Sequence, residues 1–192
     1  MNLRSAFLAM TACALLPTTL GVSAPAGWIR YTDPKLGWTI DHPPDVMISS
    51  VPVYVEVLSG SDSTGDKMDI VSFVVPLRLW NGTNLHNDTT LSVISGQSAC
   101  APSQSSDPST QIQTLKADGR TYTVLIAQDA GAGNRYETRE YFIHDTSPCI
   151  AVRYFIHSSA IENYDPGTVK AFDEKTLLAL FDRIRATLRL TK

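Results

Sequence analysis

The chain has 192 residues, 16 Lys and Arg against 19 Asp and Glu, and a formal net charge of −3. Because its basic residues are scattered rather than gathered into a patch, the attraction that drives non-specific binding to nucleic acid or anionic lipid is missing, and we expect neither as a partner. A chain of this length suits one domain, and no repeat of about 20–50 residues divides it.

The first 26 residues have the layout of a cleavable bacterial signal peptide. No charged residue stands between Arg4 and Arg30, and an apolar run over 6–16 ends at Pro17. That run is shorter than the roughly 20 residues that cross a bilayer as a helix, so a retained membrane anchor is the weaker alternative.

Cleavage of this leader is predicted close to Gly27. Ala24 and Ala26 place small residues at the two positions that a signal peptidase reads. Removing residues 1–26 takes away one positive charge and no negative one, so the net charge goes from −3 to −4. The alternative is a lipoprotein site at Cys13, although the Met and Thr before it are poor matches. We expect residues 27–192 to form one α/β domain, periplasmic or secreted, with no membrane span after cleavage.

Strands and turns alternate through the first half of this domain. A hairpin is predicted from 28–32 and 38–41, because Pro and Gly bracket a tight reversal between aromatic and β-branched runs. A second hairpin joins 51–58, whose valines alternate at period two, to the apolar run 68–75. A further short strand is expected over 89–94.

The second half is predicted to form an antiparallel meander. After a surface loop over 101–114, rich in Ser, Gln, Pro and Asp, strands are expected at 122–128, 136–144 and 149–157. The residues at 129–134 are expected to be a hairpin loop. The core face of the last strand should carry Ile150, Val152, Tyr154 and Ile156.

The C-terminal segment changes to helical periodicity. Apolar residues recur at three- and four-residue steps, which predicts an amphipathic helix with Asp173 as its N-cap. A final short strand over 187–190 is expected to close the chain. The helix positions that define the pattern are Leu177, Leu180, Phe181, Ile184 and Leu188.

Both ends of the domain carry distinctive aromatic, Pro and Gly positions. The opening has Tyr31-Thr32-Asp33-Pro34, Gly37-Trp38-Thr39-Ile40 and Pro43-Pro44, and the ending has Phe172, Leu177, Phe181-Asp182-Arg183-Ile184 and Thr187-Leu188-Arg189-Leu190. In these segments the chain resembles PsbP-like domains of bacterial exported proteins. The resemblance implies an α+β fold with a central antiparallel sheet of about six to eight strands and one or more flanking helices. The matching positions build a fold rather than a site.

Cys100 and Cys149 are predicted to form a structural disulfide. They are the two cysteines that remain after removal of Cys13 with the leader, and export delivers them to an oxidising compartment. Closing a loop of about 50 residues stabilises a fold by roughly 4 kcal/mol on the chain-entropy model. The alternative is two unpaired thiols, and a catalytic cysteine is less favoured still.

The sequence carries no recognisable catalytic or cofactor-binding motif. It lacks a Gly-x-Ser-x-Gly elbow, and the start of a dinucleotide fingerprint at 131–136 lies between two antiparallel strands rather than before a helix. Each of the four histidines could act as a general base, but a strand-end or surface role is the plainer interpretation: His42, His86, His144 and His157.

Metal sites are likewise not predicted. His-Glu-x-x-His, Cys-x-x-Cys and EF-hand spacings are absent. Three acidic residues, Asp62, Asp66 and Asp69, lie close together in a hairpin tip and could hold a hard cation such as calcium, but a solvated loop is the plainer interpretation. We therefore assign no catalytic, metal or cofactor residue and expect no cofactor.

Two hypotheses about function remain. The first is a non-enzymatic binding or accessory module of the cell envelope that presents the loops 59–67, 101–114 and 129–134 to an envelope or periplasmic protein. The alternative is a small periplasmic hydrolase built around His144 or His157. It requires one histidine within reach of both a carboxylate and a hydroxyl inside a pocket.

Overall fold

A computed structural model describes residues 24–49, 68–97, 100–102 and 110–190 as an α+β fold. The strands are β1 (Ile29–Thr32), β2 (Thr39–His42), β3 (Met47–Ser49), β4 (Asp69–Val74), β5 (Thr90–Gln97), β6 (Gln111–Ala117), β7 (Arg120–Gly131), β8 (Asn134–Ile143) and β9 (Cys149–Ser159). The helices are α1 (Leu77–Trp80), a 3₁₀ turn (Ile161–Asn163) and α2 (Glu174–Ala186).

Several sequence predictions fall outside these described ranges. They include the signal peptide up to residue 23, with the alternative lipidation site at Cys13, and the predicted strand and tip over 51–67. Within the described ranges no helix is long and apolar enough to cross a membrane.

Seven of the strands form one antiparallel sheet in the order β3-β4-β5-β9-β8-β7-β6, and β1 pairs with β2 in a small separate hairpin. β9 lies at the centre, where it pairs with β5 on one side and β8 on the other. The predicted α+β class and antiparallel meander are therefore confirmed. A strand at the centre is buried on both sides, which suits the long apolar run of β9.

The main core lies between one face of the sheet and helix α2. Val152 and Tyr154 on β9 face Leu177 and Phe181 on α2, and all four are buried. Asp173 caps the helix as predicted, since its carboxylate accepts a hydrogen bond from the Thr176 amide at 3.0 Å.

Three predictions of local structure were wrong. The loop expected over 101–114 is too long, because β6 begins at Gln111. The start of β6 is polar because β6 is an edge strand and most of its side chains are exposed. The loop expected over 129–134 is a two-residue turn at Ala132 and Gly133, both at positive φ, the geometry that continues the strand twist. The final strand is reduced to one bridge between Thr39 and Arg189.

The opposite face of the sheet carries the cysteine pair. Cys100 and Cys149 are joined by a disulfide, with their Cα atoms 5.0 Å apart, as the sequence predicted. Beside it lies a small apolar cluster that contains Leu125, Phe142 and Ala151. The disulfide therefore fastens the segment after β5 to the start of the central strand.

Candidate functional site

Polar groups converge at the end of the sheet where β9 finishes and β8 begins. The segment between α1 and β5 runs alongside the end of β9: the His86 amide donates to the His157 carbonyl oxygen at 2.9 Å, and Leu85 forms a bridge with Ser158. The end of β9 therefore has the segment before β5 on one side and the start of β8 on the other. This arrangement brings residues that are distant in sequence into contact.

His157 is held in place by Asp88. Its Nδ1 lies 2.9 Å from each carboxylate oxygen of Asp88, and 12% of its side chain is exposed. Its Nε2 is buried and has no hydrogen-bond partner within the described residues. A hydrogen on Nδ1 satisfies the carboxylate, so this is the favoured site for the ring proton.

His86 stacks on the same ring. The centroids of His86 and His157 are 3.8 Å apart and their planes are 15° from parallel, and His86 Nε2 lies 2.7 Å from the hydroxyl of Ser159. Burial, with the neighbouring His157 as a second cause, lowers the pKa of His86, while Asp88 opposes that shift. His86 is therefore biased towards the neutral form that can ligate a metal.

Tyr136 extends the column of rings. It is the register partner of His157 across the β8–β9 pair, and the two rings stack with centroids 4.6 Å apart. His157 therefore packs against both Tyr136 and His86, and Asp88 fixes its rotation. A histidine held this way loses little rotamer entropy when it binds a ligand.

His86, Asp88 and His157 can each offer one ligand atom, and these three atoms lie within 4.8 Å of one another. Metal motifs at short spacing do not detect this trio, because Asp88 and His157 are 69 positions apart in the sequence. The feature of the sequence that points to this cluster is His86-x-Asp88, which stands directly before a predicted strand.

Next to this column, on the helix side of the sheet, lies an open cleft of about 620 Å³. Tyr136 contributes to the lining of the cleft, while its ring stacks on His157 on the opposite face of the sheet. The other lining residues come from β7, β8, β9, the 3₁₀ turn, the segment before α2, the first residue of α2 and the segment before β5: Gln128, Asp129, Ala130, Arg135, Glu137, Ile156, Ser158, Ile161, Ala171, Phe172, Glu174 and Asn84.

The cleft combines apolar surface with an excess of carboxylates. Glu137 and Glu174 both pair with Arg139, the latter at 3.3 Å, so their charge is partly balanced. Asp129 accepts a hydrogen bond from the Ala130 amide and forms no salt bridge within the described residues. Asp129 is the register partner of Tyr136, whose ring stacks on His157, so alternation along β7 directs its carboxylate to the other face of the sheet. On the helix side, Glu137 and Glu174 share the one guanidinium of Arg139, so this wall of the cleft keeps negative charge that could receive a cation.

The hydrolase hypothesis fails its own geometric test in the described part of the chain. His157 contacts a carboxylate, and His86 contacts a hydroxyl, but neither contacts both. His144 bonds to the Thr123 hydroxyl at 2.8 Å on an exposed edge, and His42 is buried with its Nδ1 against the Pro43 carbonyl. A nucleophile, base and orienting acid are not assembled around any of these four rings.

The acidic hairpin tip is only partly described. Asp62 and Asp66 lie outside the described residues, and Asp69 stands at the start of β4, where it pairs with Lys35 at 2.5 Å. A lysine partner neutralises Asp69, so this carboxylate is better explained by an ion pair than by calcium.

No protein-family model matches the chain, and no curated protein matches it. Among solved structures, the chain is similar to the solution structure of cyanobacterial PsbP (CyanoP) from Synechocystis sp. PCC 6803. The identity is 16%, the match covers 89% of this chain and 96% of that chain, and the TM-score is 0.41. This is the family that the two ends of the sequence resemble. A likeness at this TM-score says nothing about the ligands or partners of this chain.

Proposed function

We propose that residues 27–192 form an exported, non-enzymatic binding module of the cell envelope, and that its cleft receives an extended segment of a partner protein. The observation that carries this proposal is the cleft itself, which is open, about 620 Å³ in volume and built mainly on the paired strands β7, β8 and β9. Sites on paired strands hold their shape better than loop tips, which favours recognition of one partner.

The lining residues specify what kind of segment fits. Phe172 and Ile156 offer apolar surface, while Glu137 and Glu174 share the single guanidinium of Arg139 and leave negative charge on the cleft wall. A partner segment with an apolar side chain next to a lysine or arginine would satisfy both features.

Site-specific photo-crosslinking in the intact envelope tests this proposal. A photoreactive phenylalanine analogue is placed at Ala171, which lines the cleft, and as a control at Thr168, which is equally exposed outside it. We expect a discrete protein adduct from position 171 and none from 168. Equal adducts from both positions, or none from 171, would refute the proposal.

Charge reversal tests the chemistry of the same contact. Glu174→Lys should reduce the adduct from position 171 by about tenfold, because it places a cation where the partner brings one. Asp165→Lys makes the same change at an exposed residue outside the cleft and should leave the yield unchanged. If the two variants behave alike, recognition does not depend on the cleft carboxylate.

A further inference from the structure

We propose that His86, Asp88 and His157 form a binding site for a divalent transition-metal ion, for which Zn²⁺ is the probe. This inference is independent of the partner proposed for the cleft. It stands on the convergence of two imidazoles and one carboxylate, whose ligand atoms lie within 4.8 Å of one another. Imidazole nitrogen with carboxylate oxygen is a set that suits zinc and its neighbours rather than calcium or magnesium.

Two of the three ligands already have the spacing of a metal site. His157 Nδ1 and the Asp88 carboxylate are 2.9 Å apart, and ligands of a four-coordinate zinc are separated by about 3.3 Å when the bonds are 2.0–2.1 Å. Zn²⁺ would take the place of the proton between these two groups. In the neutral ring that proton is exchanged from Nδ1 to Nε2, so His157 binds as a neutral imidazole and no redox step is involved.

The third ligand requires a side-chain rotation. The rings of His86 and His157 are only 15° from parallel, so their lone pairs cannot meet at one ion in this arrangement. His86 has to leave the Ser159 hydroxyl and turn a nitrogen towards the pair. It is only half-buried, and rotation of such a side chain is fast and needs no backbone change.

The surroundings favour a site held by the fold. His157 lies on the central strand and packs against Tyr136, and the His86 amide is bonded to the backbone of β9. The three groups supply three positions of a four-coordinate ion. The fourth position is left to water or a partner side chain.

Calorimetric titration of the tag-free protein, purified from the bacterial envelope, with Zn²⁺ tests the proposal. We expect one ion per chain, no binding of Mg²⁺ or Ca²⁺, and a weakening by about tenfold or more in His86→Ala and in Asp88→Asn. His144→Ala is the matched control, because it removes an exposed histidine that bonds to Thr123, and it should bind as the wild type does.

A second measurement identifies the ligands directly. Histidine ring resonances in NMR spectra should shift on adding Zn²⁺ for His86 and His157 and stay in place for His144. If His157→Ala fails to fold, the zinc affinity of His86→Ala and the NMR spectra of the wild type still show whether these histidines bind the ion. Failure of the wild type to bind one Zn²⁺, or wild-type affinity in both His86→Ala and Asp88→Asn, would overturn the proposal.

Discussion

Asn84 donates a hydrogen bond from its side-chain amide to the carbonyl oxygen of Ser159 at 2.6 Å. Its amide oxygen accepts from the backbone amide of Phe172 at 2.8 Å, so one buried side chain joins the end of β9 to the segment before α2. Both of those segments line the cleft. Asn84 therefore fixes the width of the cleft as well as the path of the chain.

Asn84→Ala is expected to lower the free energy of unfolding by about 2 kcal/mol, because two partly buried backbone groups lose their hydrogen-bond partner. Urea denaturation followed by circular dichroism measures the change. Asn87→Ala alters an exposed asparagine in the neighbouring turn and should cost less than about 0.5 kcal/mol. Equal effects from the two variants would contradict the role assigned to Asn84.

The buried pair of Glu140 and Arg153 gives a second prediction. The Arg153 Nη2 donates to Glu140 at 3.1 Å, and 6% and 0% of the arginine and glutamate side chains are exposed. Glu140→Gln removes the charge that Glu140 places against this buried guanidinium and should cost about 3 kcal/mol of stability in chemical denaturation.

An exposed pair supplies the control for this prediction. Glu162 lies 3.4 Å from Arg135 with both side chains mostly in solvent, so Glu162→Gln should cost less than about 1 kcal/mol. The double variant E140L/R153M removes both buried charges and should be more stable than Glu140→Gln alone. A double variant that is less stable than the single one would show that the ion pair itself stabilises the fold.

The disulfide is predicted to stabilise rather than to determine the fold. It closes a loop with a sequence separation of 49, for which the chain-entropy model gives about 4 kcal/mol. The double substitution C100A/C149A should lower the unfolding free energy by a few kcal/mol and leave the circular dichroism spectrum of the native state unchanged. Thiol titration of the mature, denatured, unreduced protein should find no free thiol. Two free thiols per chain would contradict the pairing.

The cap of α2 predicts a pH dependence. Hydrogen bonds from the Thr176 side chain and backbone lower the pKa of Asp173 below its ordinary value of 3.8. A carboxyl with a lowered folded-state pKa stabilises the protein above its unfolded pKa, and this contribution is lost as the pH falls below 3.8. Asp173→Asn retains a capping oxygen without the charge. The stability difference between wild type and Asp173→Asn should therefore shrink as the pH falls from about 5 to 3. A constant difference would contradict the assignment.

Local patterns in the sequence were sufficient for most of the strands. Period-two alternation marks β9, because a residue facing the core must be apolar whatever the rest of the chain does, and Ile150 and Val152 obey this rule. The N-cap of α2 at Asp173 is equally local, since the capping carboxylate and the Thr176 amide that donates to it lie three residues apart. The pairing of Cys100 with Cys149 needed only composition and compartment.

Local patterns failed where an element takes its character from its neighbours. β6 is polar along most of its length, so it looks like a loop, and it becomes a strand only because β7 supplies a complete hydrogen-bonding edge. The sequence predicts a longer loop than the two-residue turn at Ala132 and Gly133. Residue composition does not reveal the strand register, and it is the register that pairs Gly131 with Asn134.

The sequence by itself determined the α+β class, the central meander, the capped terminal helix and the cysteine pair, because each follows from contacts short in sequence or from residue type alone. Only the tertiary structure decided the His86–Asp88–His157 cluster and the cleft. Their members come from segments up to 90 positions apart in the sequence, as Asn84 and Glu174 in the lining of the cleft show. They meet because β9 is paired on both edges, and strand order in a sheet is set by long-range packing that no local pattern encodes.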